Sequence, residues 1–232
     1  MTLDSRTLAA AIVDLDGTLV DTLGDFTVAL NRMLGDLALG SVGRDLVERL
    51  VGKGSEHLIR SVLGHVLASG GGAPAADAAA VDALYPRAWD SYQSHYQVVN
   101  GQQSEVYPGV AAGLEAMRAR GWRLACLTNK PGAFAGPLLA AKGLDHFFGC
   151  VFGGDAFARK KPDPLPLLET CKVLGTPPSR TLVIGDSAND AQAARSAGCP
   201  VLLVTYGYNH GRPVRDEDAD GFLDSLLDLA QR

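Results

Sequence analysis

Short apolar runs, each ending on a cluster of polar residues and each followed by a stretch of helical periodicity, recur along this chain. That rhythm admits few folds. Residues 8–15 run from Leu8 through Ile12 and Val13 into Asp14, and residues 122–127, 181–184 and 201–204 read likewise, with a weaker run at 150–152. Runs this short, bounded by Gly, Pro, Asp or Asn, are the mark of strands buried on both faces. Between them, residues 110–120 carry Val110, Leu114 and Met117 on one helical face, with Gly121 as a stop. Residues 164–174 and 189–197 follow the same logic, with Gly175 and Gly198 placed where helices should end. Strand alternating with helix predicts an α/β fold, a parallel sheet covered on both faces with right-handed crossovers.

Residues 22–105 break the rhythm. No apolar β-run is legible there. Leu30, Met33, Leu34 and Leu37 share a helical face, as do Leu58, Val62 and Val66, and residues 75–96 continue helix-like. The segment Ser69-Gly70-Gly71-Gly72-Ala73-Pro74 reads as a flexible connection. The expected organisation is therefore a core from residues 1–21 and 106–232, with a helical block over 22–105 inserted after the first strand. Tyr107-Pro108-Gly109 marks the return.

Four polar clusters carry the chemistry. Asp14 and Asp16 follow the first strand, and two carboxylates there are costly unless something cationic binds. Thr128, Asn129 and Lys130 close the second, where a hydroxyl and an amide can bond a phosphate oxygen. Lys161 lies in Lys160-Lys161-Pro162-Asp163-Pro164, a point charge held by a stiff backbone. Asp186 and Asp190 follow a further strand, and their oxygens suit Mg²⁺. Each cluster alone also reads as a turn or a helix cap. Together, each at a strand end, they would meet in one crevice, because ligand sites in open α/β sheets lie at the carboxyl ends of the strands.

In that order the four clusters resemble the motifs of the haloacid dehalogenase superfamily of phosphohydrolases, over nearly the whole chain. The resemblance implies a Rossmann-like core with a helical cap inserted after the first motif. Within the superfamily it is narrower, toward the bacterial phosphoglycolate phosphatases. Its carriers there are Val51-Gly52-Lys53-Gly54, Gly153-Gly154-Asp155 and Thr205-Tyr206-Gly207-Tyr208-Asn209. By that resemblance Asp14 is the nucleophile that becomes an aspartyl-phosphate, and Asp16 is the general acid and base. Mg²⁺ is held by Asp14, the Asp16 carbonyl and Asp186. Thr128, Asn129 and Lys161 hold the phosphoryl oxygens, and Asp190 supports the metal or orients Lys161. Asp16 also argues against dehalogenation, which in this superfamily lacks an acid two residues after the nucleophile.

The implied reaction is hydrolysis of a small phosphorylated metabolite, 2-phosphoglycolate foremost. Sugar phosphates or a broad range of esters are the alternative, and a silent binding protein on the same fold is a further one. Substrate choice falls to the cap, with Gly52, Lys53 and Gly54 as candidates and Lys53 or Arg60 meeting a carboxylate. Trp89, Tyr92 and Tyr96 read as cap packing, and the five histidines as surface or structural groups.

Composition limits the partners. A net charge of -5 without a long basic run argues against nucleic acid. No run reaches the ~18 apolar residues of a spanning helix, and the N-terminus does not resemble a signal peptide. No membrane partner is expected, and the expectation is a cytoplasmic protein. Cys126, Cys150, Cys171 and Cys199 form no Cys-x-x-Cys pair and read as small apolar residues. Nothing in the pattern chooses between a monomer and a homo-oligomer.

Overall fold

A computed structural model describes residues 7–71 and 78–231. Six strands form one sheet: β1 (Ala10–Val13), β4 (Arg123–Leu127), β5 (Cys150–Phe152), β6 (Thr181–Gly185), β7 (Val201–Val204) and β8 (Gly221–Leu223). Their order is β5-β4-β1-β6-β7-β8, and every pairing is parallel. The α/β parallel-sheet architecture expected from the sequence is thus the one observed. The chain builds outward from β1 on one side through β4 and β5, then crosses to the other side through β6. The reversal of direction beside β1 opens a crevice at the carboxyl ends of β1, β4 and β6.

Alternation along each strand divides the apolar residues between two faces. Ala11 and Val13 of β1, with Leu124, Cys126, Leu182 and Ile184, pack against α5 (Val110–Ala119) and α6 (Gly132–Ala141). Ala10 and Ile12, with Ala125, Leu127 and Val183, pack against α7 (Leu165–Leu174) and α8 (Ala188–Ala197). Gly175 and Gly198 cap α7 and α8 in the left-handed conformation that a side chain resists. Cys126, Cys171 and Cys199 are buried, and all four thiols are free.

Four helices stand between β1 and α5: α1 (Leu23–Asp36), α2 (Arg44–Leu50), α3 (Ser55–Gly71) and α4 (Ala78–Val99). They enclose a third apolar cluster built on Leu30, Met33, Leu34, Leu58, Val62, Tyr92 and Tyr96. Phe134 and Tyr208 join it from the sheet side. The expected flexible segment behaves differently at its start, because α3 continues through Ser69 to Gly71. The rest of it, residues 72–74, lies outside the described residues, as do 75–77 of the helical stretch that follows.

Two elements carry no apolar signature. β2 (Val20–Asp21) and β3 (Glu105–Val106) pair antiparallel, Val20 with Val106 and Asp21 with Glu105. This two-residue ribbon joins the chain entering the helices to the chain leaving them. Asp25, fully buried on α1, fastens the same junction, its carboxylate accepting from the backbone N–H groups of Gly101 and Gln103 at 2.7 Å each.

Candidate active site

Asp14 follows the last residue of β1, Thr128 that of β4, and Asp186 that of β6, while Lys161 arrives on the loop after β5. Parallel strands bring these ends to one side of the sheet. All four side chains line one pocket between sheet and helices.

The acidic half is crowded. Asp14, Asp186 and Asp190 each offer a carboxylate oxygen within 4.8 Å of the others. Burial pushes the Asp14 carboxyl up to about 6; Lys161 opposes the shift, while Asp190 and Asp16 add to it. Asp186 is raised well above the usual carboxylate range by burial first, then by the charges of Asp190 and Asp14. Its Oδ2 accepts from the N–H of Tyr208 at 2.6 Å. Gly17 makes room for it: a Cβ there would stand 2.1 Å from Asp186 Oδ2, on a backbone with φ +82 that favours glycine.

Lys161 relieves part of this charge. Its ammonium donates to Asp190 Oδ1 at 2.7 Å and to the Leu127 carbonyl at 2.9 Å, and lies 3.0 Å from Asp14 Oδ1. The Asp14 approach is an ion-pair contact without hydrogen-bond alignment, so Asp14 Oδ1 is buried with no hydrogen bond. Burial works against the Lys161 charge, but Asp14 and Asp190 outweigh it and raise its pKa. Asp190 also opens α8, where its Oδ2 accepts from the N–H and hydroxyl of Ser187. Both readings of Asp190, helix-start acid and partner of Lys161, hold at once.

Three carboxylates against one ammonium leave an excess of buried negative charge, with an unbonded oxygen on Asp14. A hard divalent cation with oxygen preference fits that donor set. Asp14, Asp186 and Asp190 have the geometry to share one.

This convergence of three strand ends and one loop is the arrangement expected of phosphohydrolases with the motif order of this chain. A family model described as haloacid dehalogenase-like hydrolase matches residues 8–198. The chain belongs to that family. It is 41% identical to a phosphoglycolate phosphatase of Thiobacillus denitrificans over 96% of this chain and 94% of that protein. It is 43% identical to a plasmid-borne phosphoglycolate phosphatase of Cupriavidus necator, over 94% and 89%. Among solved structures, a predicted phosphoglycolate phosphatase from Haemophilus somnus superposes with a TM-score of 0.89 at 32% identity, covering 97% of each chain.

The remaining sequence candidates of this haloacid dehalogenase-like hydrolase divide between the pocket, which Asn129, Gly52 and Gly54 line, and its surroundings. Asn129 commits its side-chain amide to the carbonyls of Lys161 (2.9 Å) and Gly52 (3.0 Å), so it ties two loops together in this arrangement. Gly52, whose carbonyl also accepts from Asn189, and Gly54 line the pocket. Lys53 instead faces an open outer cleft with His57, Lys160 and Arg212. Arg60 is remote from the acids, bonded to Glu56 and Asp82 and stacked over Tyr85.

Two side chains that the sequence reading left without a site role enter the pocket. Lys130 is buried, donates to Asp16 Oδ1 at 3.0 Å and to the Tyr96 hydroxyl, and lies 4.5 Å from the Phe26 ring centre and 4.6 Å from that of Tyr96. Tyr96 is therefore packing and pocket wall together. A buried ammonium needs a partner, and Asp16 supplies it. The available signal was position: Lys130 belongs to the polar cluster that closes β4.

Proposed function

We propose that this chain is a Mg²⁺-dependent phosphomonoesterase that acts through an aspartyl-phosphate, with 2-phosphoglycolate as substrate. The observation that carries the reading is the convergence of Asp14, Thr128 and Asp186 from three strand ends, and of Lys161 from the loop after β5, on one pocket. The names of relatives about 40% identical over nearly their whole length support the choice of ester.

Asp14 attacks phosphorus in line, and the ester oxygen leaves with a proton from Asp16. Asp16 then takes a proton from the water that cleaves the acyl phosphate. Lys161 and the Thr128 hydroxyl balance charge on the phosphoryl oxygens. When bound, Mg²⁺ supplies the charge that offsets repulsion between carboxylate and phosphate. Asp14, Asp186 and the Asp16 carbonyl would hold it, with Asp190 in support. Residues 22–105 act as a cap over the core formed by 1–21 and 106–232, shutting water out and selecting the leaving group.

The test is phosphate release by purified protein from 2-phosphoglycolate, glucose 6-phosphate and p-nitrophenyl phosphate, with Mg²⁺ and with chelator. Metal-dependent release fastest from 2-phosphoglycolate is expected. A sugar phosphate turned over faster moves the substrate to the sugar phosphates, and no release from any ester leaves a binding protein. Asp14→Asn is expected to abolish turnover. Asp16→Asn is expected to leave slow or trapped phosphorylation, visible as label retained on the protein.

A further inference from the structure

The enzyme reading leaves open what recognises the leaving group. The wall facing the acids is largely apolar, built from Phe26, Val51, Leu58, Tyr96 and Phe134. Two cations line the pocket among the described residues, Lys161 and Lys130. Lys161 is taken up by the nucleophile side, between Asp14, Asp190 and the Leu127 carbonyl. Lys130 stands on the other side of Asp16, against the aromatic wall. An ammonium carries three N–H donors. Asp16 and Tyr96 accept two of them, and no hydrogen bond to a described residue occupies the third.

We propose that Lys130 is the specificity-determining residue, receiving the carboxylate of a short anionic leaving group on its remaining donor while its bond to Asp16 keeps the acid beside the ester oxygen. This rests on the phosphoglycolate reading and names the group that reads the ester. One carbon separates ester oxygen from carboxylate in that substrate. A cation one hydrogen bond from the acid is therefore at the range such a leaving group requires. The desolvated setting between two rings strengthens the pairing, and the same rings leave little for a neutral hydroxyl to bond. Lys53 and Arg60, the cations the sequence offered for this task, face outside the pocket or are paired elsewhere.

The experiment compares kcat/KM for 2-phosphoglycolate with that for 2-hydroxyethyl phosphate, which replaces the carboxylate by a neutral carbinol of equal length. Wild type is expected to prefer the carboxylate ester by about tenfold or more, the worth of a charge-assisted hydrogen bond. In Lys130→Met the preference is expected to fall to about one, because methionine keeps the length and the ring contacts but not the charge. The ratio is internal to one preparation, so a partly folded variant still reports it, and Lys130→Gln gives a second, polar test. A variant that loses rate on both esters equally and keeps the wild-type ratio overturns the assignment and leaves phosphoglycolate as the substrate. A wild type without preference for the carboxylate ester overturns the substrate reading, and the role of Lys130 falls with it.

Discussion

Ionising Asp14 inside this pocket works against the fold. Its carboxyl is shifted by burial from 3.8 to about 6, so the unfolded chain gives up this proton first. Stability then falls as pH rises through that interval, because the folded state binds more protons there. Asp14→Asn in chelator is therefore expected to be more stable than wild type at pH 8, with the difference closing toward pH 4. Adding Mg²⁺ at pH 8 should raise the midpoint of wild type far more than that of the variant. Urea unfolding at several pH values measures both, and a chelated wild type as stable as the variant at pH 8 would show that Lys161 cancels the burial. At this scale the sequence was informative where charge is expensive. Asp14, Asp186 and Lys161 announced themselves because acids and a stiffened lysine at strand ends need a reason. Lys130 did not, because a single lysine reads as solvated until its ring neighbours from α1 and α4 are known, and those contacts reach back 34 positions to Tyr96 and about a hundred to Phe26.

Elements repeat that contrast. β1, β4, β6 and β7 were legible because strands buried on both faces must be apolar throughout. β8, three residues at the sheet edge, and the ribbon of β2 with β3 have no such constraint, and their pairing comes from tertiary context. The ribbon alone is too short to hold the entry and exit of the helices, which gives Asp25 its task. Its two carboxylate oxygens satisfy two backbone N–H groups, at Gly101 and Gln103. Asp25→Ala strands both donors at a buried junction and is expected to destabilise the protein by about 2–4 kcal/mol. Asp25→Asn, which keeps one acceptor, should lose less. Denaturant midpoints at unchanged slope check the order of the three proteins. Equal stability of Asp25→Ala and wild type would mean that the ribbon and helix packing suffice.

Across the whole molecule, the net charge of -5 repels a phosphate ester at long range, yet the cleft that shares Lys161 and Asn189 with the pocket is lined mainly by basic side chains. Lys53, Lys160 and Arg212 line it together with His57 and His210. His57 is held below its ordinary pKa by burial, then by Lys53 and Lys160; His210 likewise by burial, then by Lys53, Arg212 and His57. Both imidazoles therefore stay neutral at neutral pH, and the lysines and Arg212 carry the field. Arg212 shares its charge with Glu217 at 3.3 Å, which leaves Lys53 and Lys160 as the main attraction. A cleft whose cations outnumber its one acid, Asp163, raises the encounter rate of an anionic ligand, and salt screens that gain over about 10 Å at 0.1 M. Raising ionic strength should therefore lower kcat/KM by about threefold or more while kcat changes little, since the buried contacts around Asp14 and Lys161 are screened far less. Lys53→Glu with Lys160→Glu should lower kcat/KM at low salt and flatten its salt dependence. Steady-state rates across a salt series test this directly. A salt slope equal in wild type and the double variant would place the steering elsewhere, and an effect on kcat as large as on kcat/KM would show that these lysines act after binding.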